Sequence, residues 1–171
     1  GTGPPYYTFR LLHRSGQVRW VDLSAVRIEW EGRPATLNFM SDITPLKLAE
    51  EALRASEEKY RLVFERVPLG LLHYDSEGVI TACNDAFVAI MGSSREALLG
   101  LNMLRLPDKR VTEAVQSSLS GNIGYFDGLY RSITADKETW ILAQFAPVLT
   151  EDGRFLGGMG LIEDVTERRQ A

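Results

Sequence analysis

Few residues are of a type that does chemistry, and their spacing supports no catalytic site. Cys83 is the only cysteine, which excludes an internal disulfide and a zinc site built on several thiolates. His13 and His73 lie far apart in sequence, and neither a zinc-protease motif nor a nucleophile elbow is present. The Gly-Gly-Met-Gly segment at 157–160 is not followed by the Lys-Ser/Thr of a phosphate loop. We therefore expect no catalytic residue and no metal site, and we interpret Cys83 as a buried, unreactive thiol.

The composition is that of a folded domain of ordinary kind. The 171 residues are 44% hydrophobic and 25% charged, enough for one domain or one domain plus part of another. The net charge of −4 argues against a nucleic-acid surface. No apolar run approaches the ~20 residues of a membrane helix. We expect a cytoplasmic protein with no nucleic-acid partner and no membrane segment in this chain.

The strands that must position any site belong to a sequence pattern that occurs twice in the chain. Trp20 matches Trp140 at an offset of 120 residues, and segment 41–44 matches 163–166 at an offset of 122. Each copy predicts a three-stranded antiparallel meander, rich in β-branched and aromatic residues and broken by Gly-containing turns. The predicted strands are 6–13, 17–30 and 34–40 in the first copy, and 126–134, 139–150 and 155–162 in the second.

Only the second copy has further elements before its meander. A hairpin is predicted over 69–74 and 79–83, followed by a helix over 85–91 that Asn84 caps. Two more helical segments follow, one capped by Ser93 and one starting at Asp108. The second copy therefore predicts the order β-β-α-α-α-β-β-β, whereas the first copy is the end of such a module.

A helix is predicted to connect the two copies. Thr44 is a suitable N-cap and Pro45 suits the first helical position. Apolar or small residues then recur at alternating spacings of three and four, a heptad seam of about three repeats. The seam residues are Leu46, Ala49, Leu53, Ser56, Tyr60 and Val63. The seam is typical either of a helix shared with a second chain, the interpretation we favour, or of an amphipathic helix lying on its own module.

The pattern resembles the PAS domain with its PAC segment, a sensory module of bacterial signalling proteins. Segments 84–87 and 94–100 are similar to its N-x-A-F and S-R-E-E-L-L-G motifs, Trp20 and Trp140 to its strand tryptophan, and 42–44 and 164–166 to its closing D-I-T. The resemblance implies an α+β fold, a five-stranded antiparallel sheet with short helices on one face. The expected organisation is a first-module fragment (1–44), a connector (45–67), a complete PAS domain (68–166) and an output linker (167–171).

The resemblance also implies a small-molecule pocket and signalling through helices at the module ends. The pocket residues it implies are Met103, Val115, Leu119, Leu129, Arg131, Ile141, Ala143, Phe145, Gly158, Gly160 and Ile162. The small residues among them would leave room for a ligand. The residues it implies for signal relay are Asp42, Thr44, Asp164 and Thr166. From alternation alone, either face of strand 139–148 could line the pocket. Arg131 would bind an anionic ligand, face a water-filled mouth of the pocket, or pair with Asp127 or another local acid.

The residues restrict the cofactor without naming it. Segment 100–106 resembles the cysteine-containing segment of LOV photoreceptors, with Met103 in place of the cysteine, so photoactive flavin chemistry is not expected. The long helix predicted after Asp108 has no histidine to ligate haem. A non-covalent flavin and a small metabolite both stay open.

The resulting hypothesis is a sensory region that detects a small molecule or redox state and signals to a covalently linked output domain, a histidine kinase by preference. The enzyme activity would then lie outside this chain. The alternatives are a ligand-free protein–protein interaction module and the regulatory region of a cyclic-di-GMP enzyme. We expect a homodimer, formed through the connecting helix and through the open edge of strand 34–40, whose pairing strand is absent from the first copy.

Overall fold

The computed structural model describes residues 6–171, so the first five residues of the predicted segment 1–44 lie outside the described part. The chain forms two compact units that meet in sequence between Tyr60 and Arg61. This junction falls inside the predicted connector 45–67, and the finer division of the chain into modules stays a prediction.

The first unit is a three-stranded antiparallel sheet followed by a helix. Its strands are β1 (Tyr6–Leu12), β2 (Val18–Trp30) and β3 (Arg33–Asp42), in that spatial order. Glu31 and Gly32, with φ of 49° and 71°, make the two-residue turn between β2 and β3. Two successive positive φ values match the twist of a tight hairpin. Helix α1 (Thr44–Arg66) begins in this unit, and its last residues belong to the second.

The second unit contains a five-stranded antiparallel sheet. Its strands are β4 (Gly70–Tyr74), β5 (Ile80–Cys83), β6 (Gly124–Arg131), β7 (Glu138–Leu149) and β8 (Phe155–Asp164), in the spatial order β5-β4-β8-β7-β6. Between β5 and β6 lie α2 (Asp85–Met91), α3 (Arg95–Leu98), a 3₁₀ turn (Met103–Arg105) and α4 (Lys109–Leu119). A short helix, α5 (Thr166–Gln170), follows β8. These elements confirm the predicted α+β fold class.

Polar residues start the helices of the second unit where capping chemistry requires them. The side chains of Asn84, Ser94, Asn102 and Asp108 each accept a hydrogen bond from a backbone N–H two or three residues ahead. Gly92, with φ of 64°, ends α2 in the left-handed conformation that favours glycine. The cap of α3 is Ser94 rather than the predicted Ser93.

The core of this unit lies between the helices and one face of the sheet. Even-numbered residues of β6, from Gly124 to Tyr130, are buried and odd-numbered ones exposed. Helix α4 packs directly on β6, since a Cβ at Gly124 would lie 1.8 Å from the carbonyl oxygen of Ala114. β6 begins and ends earlier than predicted because the chain turns after Arg131, where the Ser132 N–H donates to the Lys137 carbonyl (2.9 Å).

Candidate functional site: an apolar cavity and two strand-to-helix joints

A cavity lies in the core of the second unit, between the sheet and the helices. The space open to the centre of a water molecule is about 50 Å³. Strands β4–β8 supply one part of its lining, and the segment from α2 to α4 supplies another. The lining residues are Leu72, Ile80, Phe87, Met91, Leu98, Leu101, Met103, Leu106, Val111, Tyr130, Ser132, Ile133, Thr134, Ile141, Ala143, Phe145 and Ile162.

Five of the residues implied for the pocket line this cavity. They are Met103, Ile141, Ala143, Phe145 and Ile162, each at most 5% exposed. On β7 the cavity face is therefore the one that carries the odd-numbered residues, the alternative implied by the resemblance. Whether these residues bind a ligand stays a prediction.

The placement expected for Leu129 and Arg131 is wrong. Both lie on the exposed face of β6, and the inner face carries Phe126 and Tyr130 instead. Because side chains alternate along a strand, a register one residue different exchanges the two faces. Arg131 pairs with a local acid, Asp136, at 3.1 Å between Nη2 and Oδ1. Pairing with a local acid was one of the alternatives for Arg131.

The glycines of β8 do not open the cavity as expected, because other side chains fill the space above them. A Cβ at Gly158 would lie 2.3 Å from the ring of Tyr74, and one at Gly160 would lie 3.0 Å from Leu72. Val115 is fully buried in the core and Leu119 packs against it, and neither lines the cavity.

The polar end of the cavity was missed from the sequence. Tyr130, Ser132 and Thr134 line it at successive alternate positions, on β6 and just beyond. The hydroxyls of Ser132 and Thr134 lie 3.3 Å apart. Burial, with a smaller contribution from the charge of Asp108, raises the pKa of the Tyr130 phenol, so this hydroxyl is neutral at neutral pH. These residues lie at the same alternate positions along the chain as the buried Phe126. This period of two is the signal that could have located them from the sequence.

The predicted relay residues of the first unit form a hydrogen-bonded joint between β2 and α1. The Trp20 N–H donates to the Thr44 hydroxyl at 2.9 Å, and the Thr44 N–H donates to Asp42 Oδ1 at 2.9 Å. The Ile43 N–H donates to the Trp20 carbonyl at 2.9 Å. Hydrogen bonding from Thr44, joined by the charge of Arg19, lowers the pKa of the Asp42 carboxyl.

The same joint recurs between β7 and α5. The Trp140 N–H donates to the Thr166 hydroxyl at 3.2 Å, and the Thr166 N–H donates to Asp164 Oδ1 at 2.9 Å. The Val165 N–H donates to the Trp140 carbonyl at 2.8 Å. Arg169 completes this joint, with its guanidinium 4.8 Å from the centre of the Trp140 ring. The sequence repeat is thus a repeat of one hydrogen-bonded structure.

A cation on each tryptophan was not expected. Lys47 Nζ lies 5.8 Å from the centre of the Trp20 ring, in the position that Arg169 occupies on Trp140. Lys47 and Arg169 are 122 residues apart, the same offset that relates Thr44 to Thr166. The sequence repeat could therefore have identified this pair of cations.

The heptad seam of α1 is exposed in the single chain. Leu46, Leu53, Tyr60 and Val63 keep between 56% and 61% of their surface accessible, and Ala49 and Ser56 are exposed as well. The two leucines of α1 outside the seam, Leu48 and Leu62, are also exposed.

Asn84 fixes the end of α1 to the second unit. Its Nδ2 donates to the carbonyls of Phe64 (2.7 Å) and Leu69 (2.9 Å), and its Oδ1 accepts from the N–H groups of Leu71 (2.9 Å) and Phe87 (3.0 Å). The residue is fully buried. One amide therefore joins the last turn of α1, strand β4 and the start of α2. From the sequence, Asn84 was predicted only as the N-cap of α2.

An ion-pair cluster supports the same contact. Arg95 Nη2 lies 2.6 Å from Asp85 Oδ1 and 3.3 Å from Glu65 Oε2, and Arg95 also donates to the Cys83 carbonyl. Glu65 in turn accepts from the Asp85 N–H at 3.2 Å. The end of α1 is thus held to α2 and α3 by charge as well as by Asn84.

The thiol of Cys83 and the imidazole of His73 do not line the cavity. Cys83 is fully buried, and burial raises the pKa of its thiol. The His73 ring stacks on Phe64 with 5.5 Å between ring centres, and burial lowers its pKa. Within residues 6–171 no group of three or more His, Cys, Asp or Glu side chains is arranged to hold a metal ion. No helix in the same range is both long and apolar enough to cross a bilayer.

Comparison with known proteins identifies the family. A family model described as PAS fold matches residues 64–170, more than half of the chain. The chain belongs to the PAS domain family. The PAS domain is a sensory module, and the relatives of this one include sensor kinases.

Two curated relatives and one solved structure are similar to this PAS domain. The sensor protein kinase WalK of Staphylococcus haemolyticus is 26% identical over 129 residues, 72% of this chain and 20% of the relative. The two-component sensor PprA of Pseudomonas aeruginosa is 29% identical over 94 residues, 54% of this chain and 10% of the relative. The chain therefore spans a fifth or less of these proteins. A PAS domain from Colwellia psychrerythraea shares the fold, with a TM-score of 0.55 at 20% identity over 65% of this chain and 98% of that one.

Proposed function

We propose that this PAS region binds a small molecule in the cavity of its second unit and relays its presence through the strand-to-helix joints to a linked output domain. The observation that carries the proposal is the cavity itself. Native cores are packed with few voids larger than a water molecule. A space of about 50 Å³ lined mainly by buried residues of strands and helices is therefore a candidate binding site.

The joint between β7 and α5 and the contacts of Asn84 connect this cavity to α5 and to the last turn of α1. Ile141 lines the cavity, and its neighbour Trp140 is hydrogen-bonded to the Thr166 hydroxyl at the start of α5. Phe87 lines the cavity and donates its N–H to Asn84, which also binds the last turn of α1. A ligand shifts such a structure only if it binds two arrangements with different affinity.

We propose a histidine kinase as the output, supported by the names of the two curated relatives. Regulation of a cyclic-di-GMP enzyme is the alternative output. We also propose a homodimer through the heptad seam, supported by the exposure of Leu46, Leu53, Tyr60 and Val63. Pairing through the open edge of β3, the division into modules and the cytoplasmic location stay predictions.

The competing function is an interaction module that binds no ligand. Mass spectrometry of the molecules released on denaturing freshly purified protein distinguishes the two, with an absorbance spectrum beforehand to detect a flavin or haem. The Ala143→Met variant fills the cavity from β7, and Ala146→Met is the matched control because Ala146 lies on the other face of the same strand.

Ligand sensing predicts a molecule that is released by the wild type and by Ala146→Met and is absent from Ala143→Met. An equal yield from all three proteins would place the molecule outside the cavity and contradict the proposal. Empty wild-type protein that also binds no added small molecule would favour the interaction module.

A further inference from the structure

The chemistry of the cavity wall restricts what it can hold. No charged side chain lines it, and its side chains are aliphatic, aromatic or thioether apart from those of Tyr130, Ser132 and Thr134. These three belong to one stretch of chain, the end of β6 and the residues that follow. The cavity therefore has an apolar body and one polar end.

Tyr130 carries a hydroxyl that the protein leaves available. The residue is 8% exposed and lines the cavity, and no residue within 6–171 forms a hydrogen bond with its hydroxyl. Ser93 Oγ, not the Tyr130 hydroxyl, is the buried side-chain atom without a partner among the described residues, so the Tyr130 hydroxyl is itself accessible. A molecule in the cavity that bonds to it replaces a bond to water, and the net gain in affinity is that of one ordinary hydrogen bond. The phenol is neutral at neutral pH and can donate or accept this bond.

The volume sets the size of the occupant. An apolar cavity of ~150 Å³ in another protein holds benzene, so the space of about 50 Å³ is about a third of that size. The space therefore favours a small occupant. A single-ring molecule requires lining side chains to move, and a three-ring flavin or a haem requires a larger rearrangement.

We propose that the ligand is a small, uncharged and mainly apolar molecule with one hydrogen-bonding oxygen, seated with that oxygen at Tyr130 and Ser132. A carboxylate or an ammonium group would lie in this cavity without a counter-charge, at a large desolvation cost. The inference rests on the proposed ligand-binding function and adds the class of molecule to it.

Four probes of similar shape test the class. Benzyl alcohol has the oxygen, ethylbenzene replaces it with a methyl group, benzoate is an anion and benzylammonium a cation. Each is titrated into the 171-residue protein while backbone amide chemical shifts are followed by NMR. The expected result is saturable shifts around the lining residues with benzyl alcohol and ethylbenzene, and none there with benzoate or benzylammonium.

The Tyr130→Phe variant removes the hydroxyl and little else. It should weaken benzyl alcohol binding about two- to tenfold, the effect of one net hydrogen bond, and leave ethylbenzene binding unchanged. If this variant does not fold, Ser132→Ala replaces it with the same expected pattern. An unchanged affinity for benzyl alcohol in a folded Tyr130→Phe protein would overturn the role of the oxygen.

The remaining outcomes separate this inference from the function on which it rests. Binding of benzoate or benzylammonium around the lining residues, as tight as that of benzyl alcohol, would overturn the ligand class and leave ligand sensing intact. Failure of all four probes to shift the lining residues would overturn the ligand class, whereas ligand sensing itself is overturned by the release experiment with Ala143→Met and Ala146→Met.

Discussion

Asn84 is expected to be the single polar residue on which the second unit depends most. The perturbation is Asn84→Ala, which removes the two hydrogen bonds donated to Phe64 and Leu69 and the two accepted from Leu71 and Phe87. The Phe87 bond is also the N-cap of α2. Because the residue is fully buried, water cannot replace these bonds without local opening.

The magnitude follows from the four bonds. A typical intramolecular hydrogen bond contributes about 0.5–1.5 kcal/mol net, so losing four costs about 2–6 kcal/mol. Asn84→Asp keeps a side-chain oxygen for Leu71 and Phe87 but turns its second oxygen toward the carbonyls of Phe64 and Leu69. Because the site is fully buried, this carboxyl group is expected to cost at least as much as Asn84→Ala. Asn102→Ala is the matched control, since it removes a less buried cap with two bonds, to Leu104 and Glu77.

Urea unfolding measures the effect in the second unit alone when Trp140 is the remaining fluorophore, in a background carrying Trp20→Phe and Trp30→Phe. Asn84→Ala and Asn84→Asp are both expected to destabilise the second unit more than Asn102→Ala does. A loss for Asn84→Ala no larger than that for Asn102→Ala would refute the reasoning, because the buried bonds would then contribute nothing beyond a half-buried cap.

Two further predictions concern association and pH. Leu53→Glu places a charge in the seam of α1 and should weaken self-association about tenfold or more by analytical ultracentrifugation, whereas Leu48→Glu, exposed but outside the seam, should change it little. Equal effects of the two substitutions, or a wild type that stays monomeric as its concentration rises, would contradict the shared seam. Burial lowers the pKa of His73 in the folded protein, so the unfolded chain binds its proton first and the free energy of unfolding should fall as the pH drops through about 6.5. The urea midpoint should therefore fall less between pH 7.5 and 5.5 in His73→Gln than in the wild type, and an identical fall would contradict the pKa direction.

Local signals in the sequence were sufficient to predict the helices and strands. The Asn84 cap and the glycine at 92 predict α2 over 85–91, which is the helix observed. The repeated D-x-T segments predict a structural repeat, and the hydrogen bonds of Thr44 and Thr166 confirm it. Capping and turn chemistry act over a few residues, so they can be read from one sequence.

The faces of β6 could not be predicted in the same way. Its outward positions include Tyr125 and Leu129 and its inward ones Phe126 and Tyr130, so hydrophobicity does not distinguish them. Packing against α4 decides the face, and this contact is far away in sequence. The cavity depends on side chains from nine elements and three connecting segments that meet only in the fold, which explains why its polar end was missed.

Hydrogen exchange of the 171-residue protein with and without saturating benzyl alcohol tests the central claim most directly. The claim is that occupancy of the cavity is coupled to the joint at Trp140 and Thr166 and to the end of α1. The account predicts altered exchange in segments 61–69 and 163–170 as well as in the cavity lining. Protection confined to the lining, with both segments unchanged, would contradict the proposed relay.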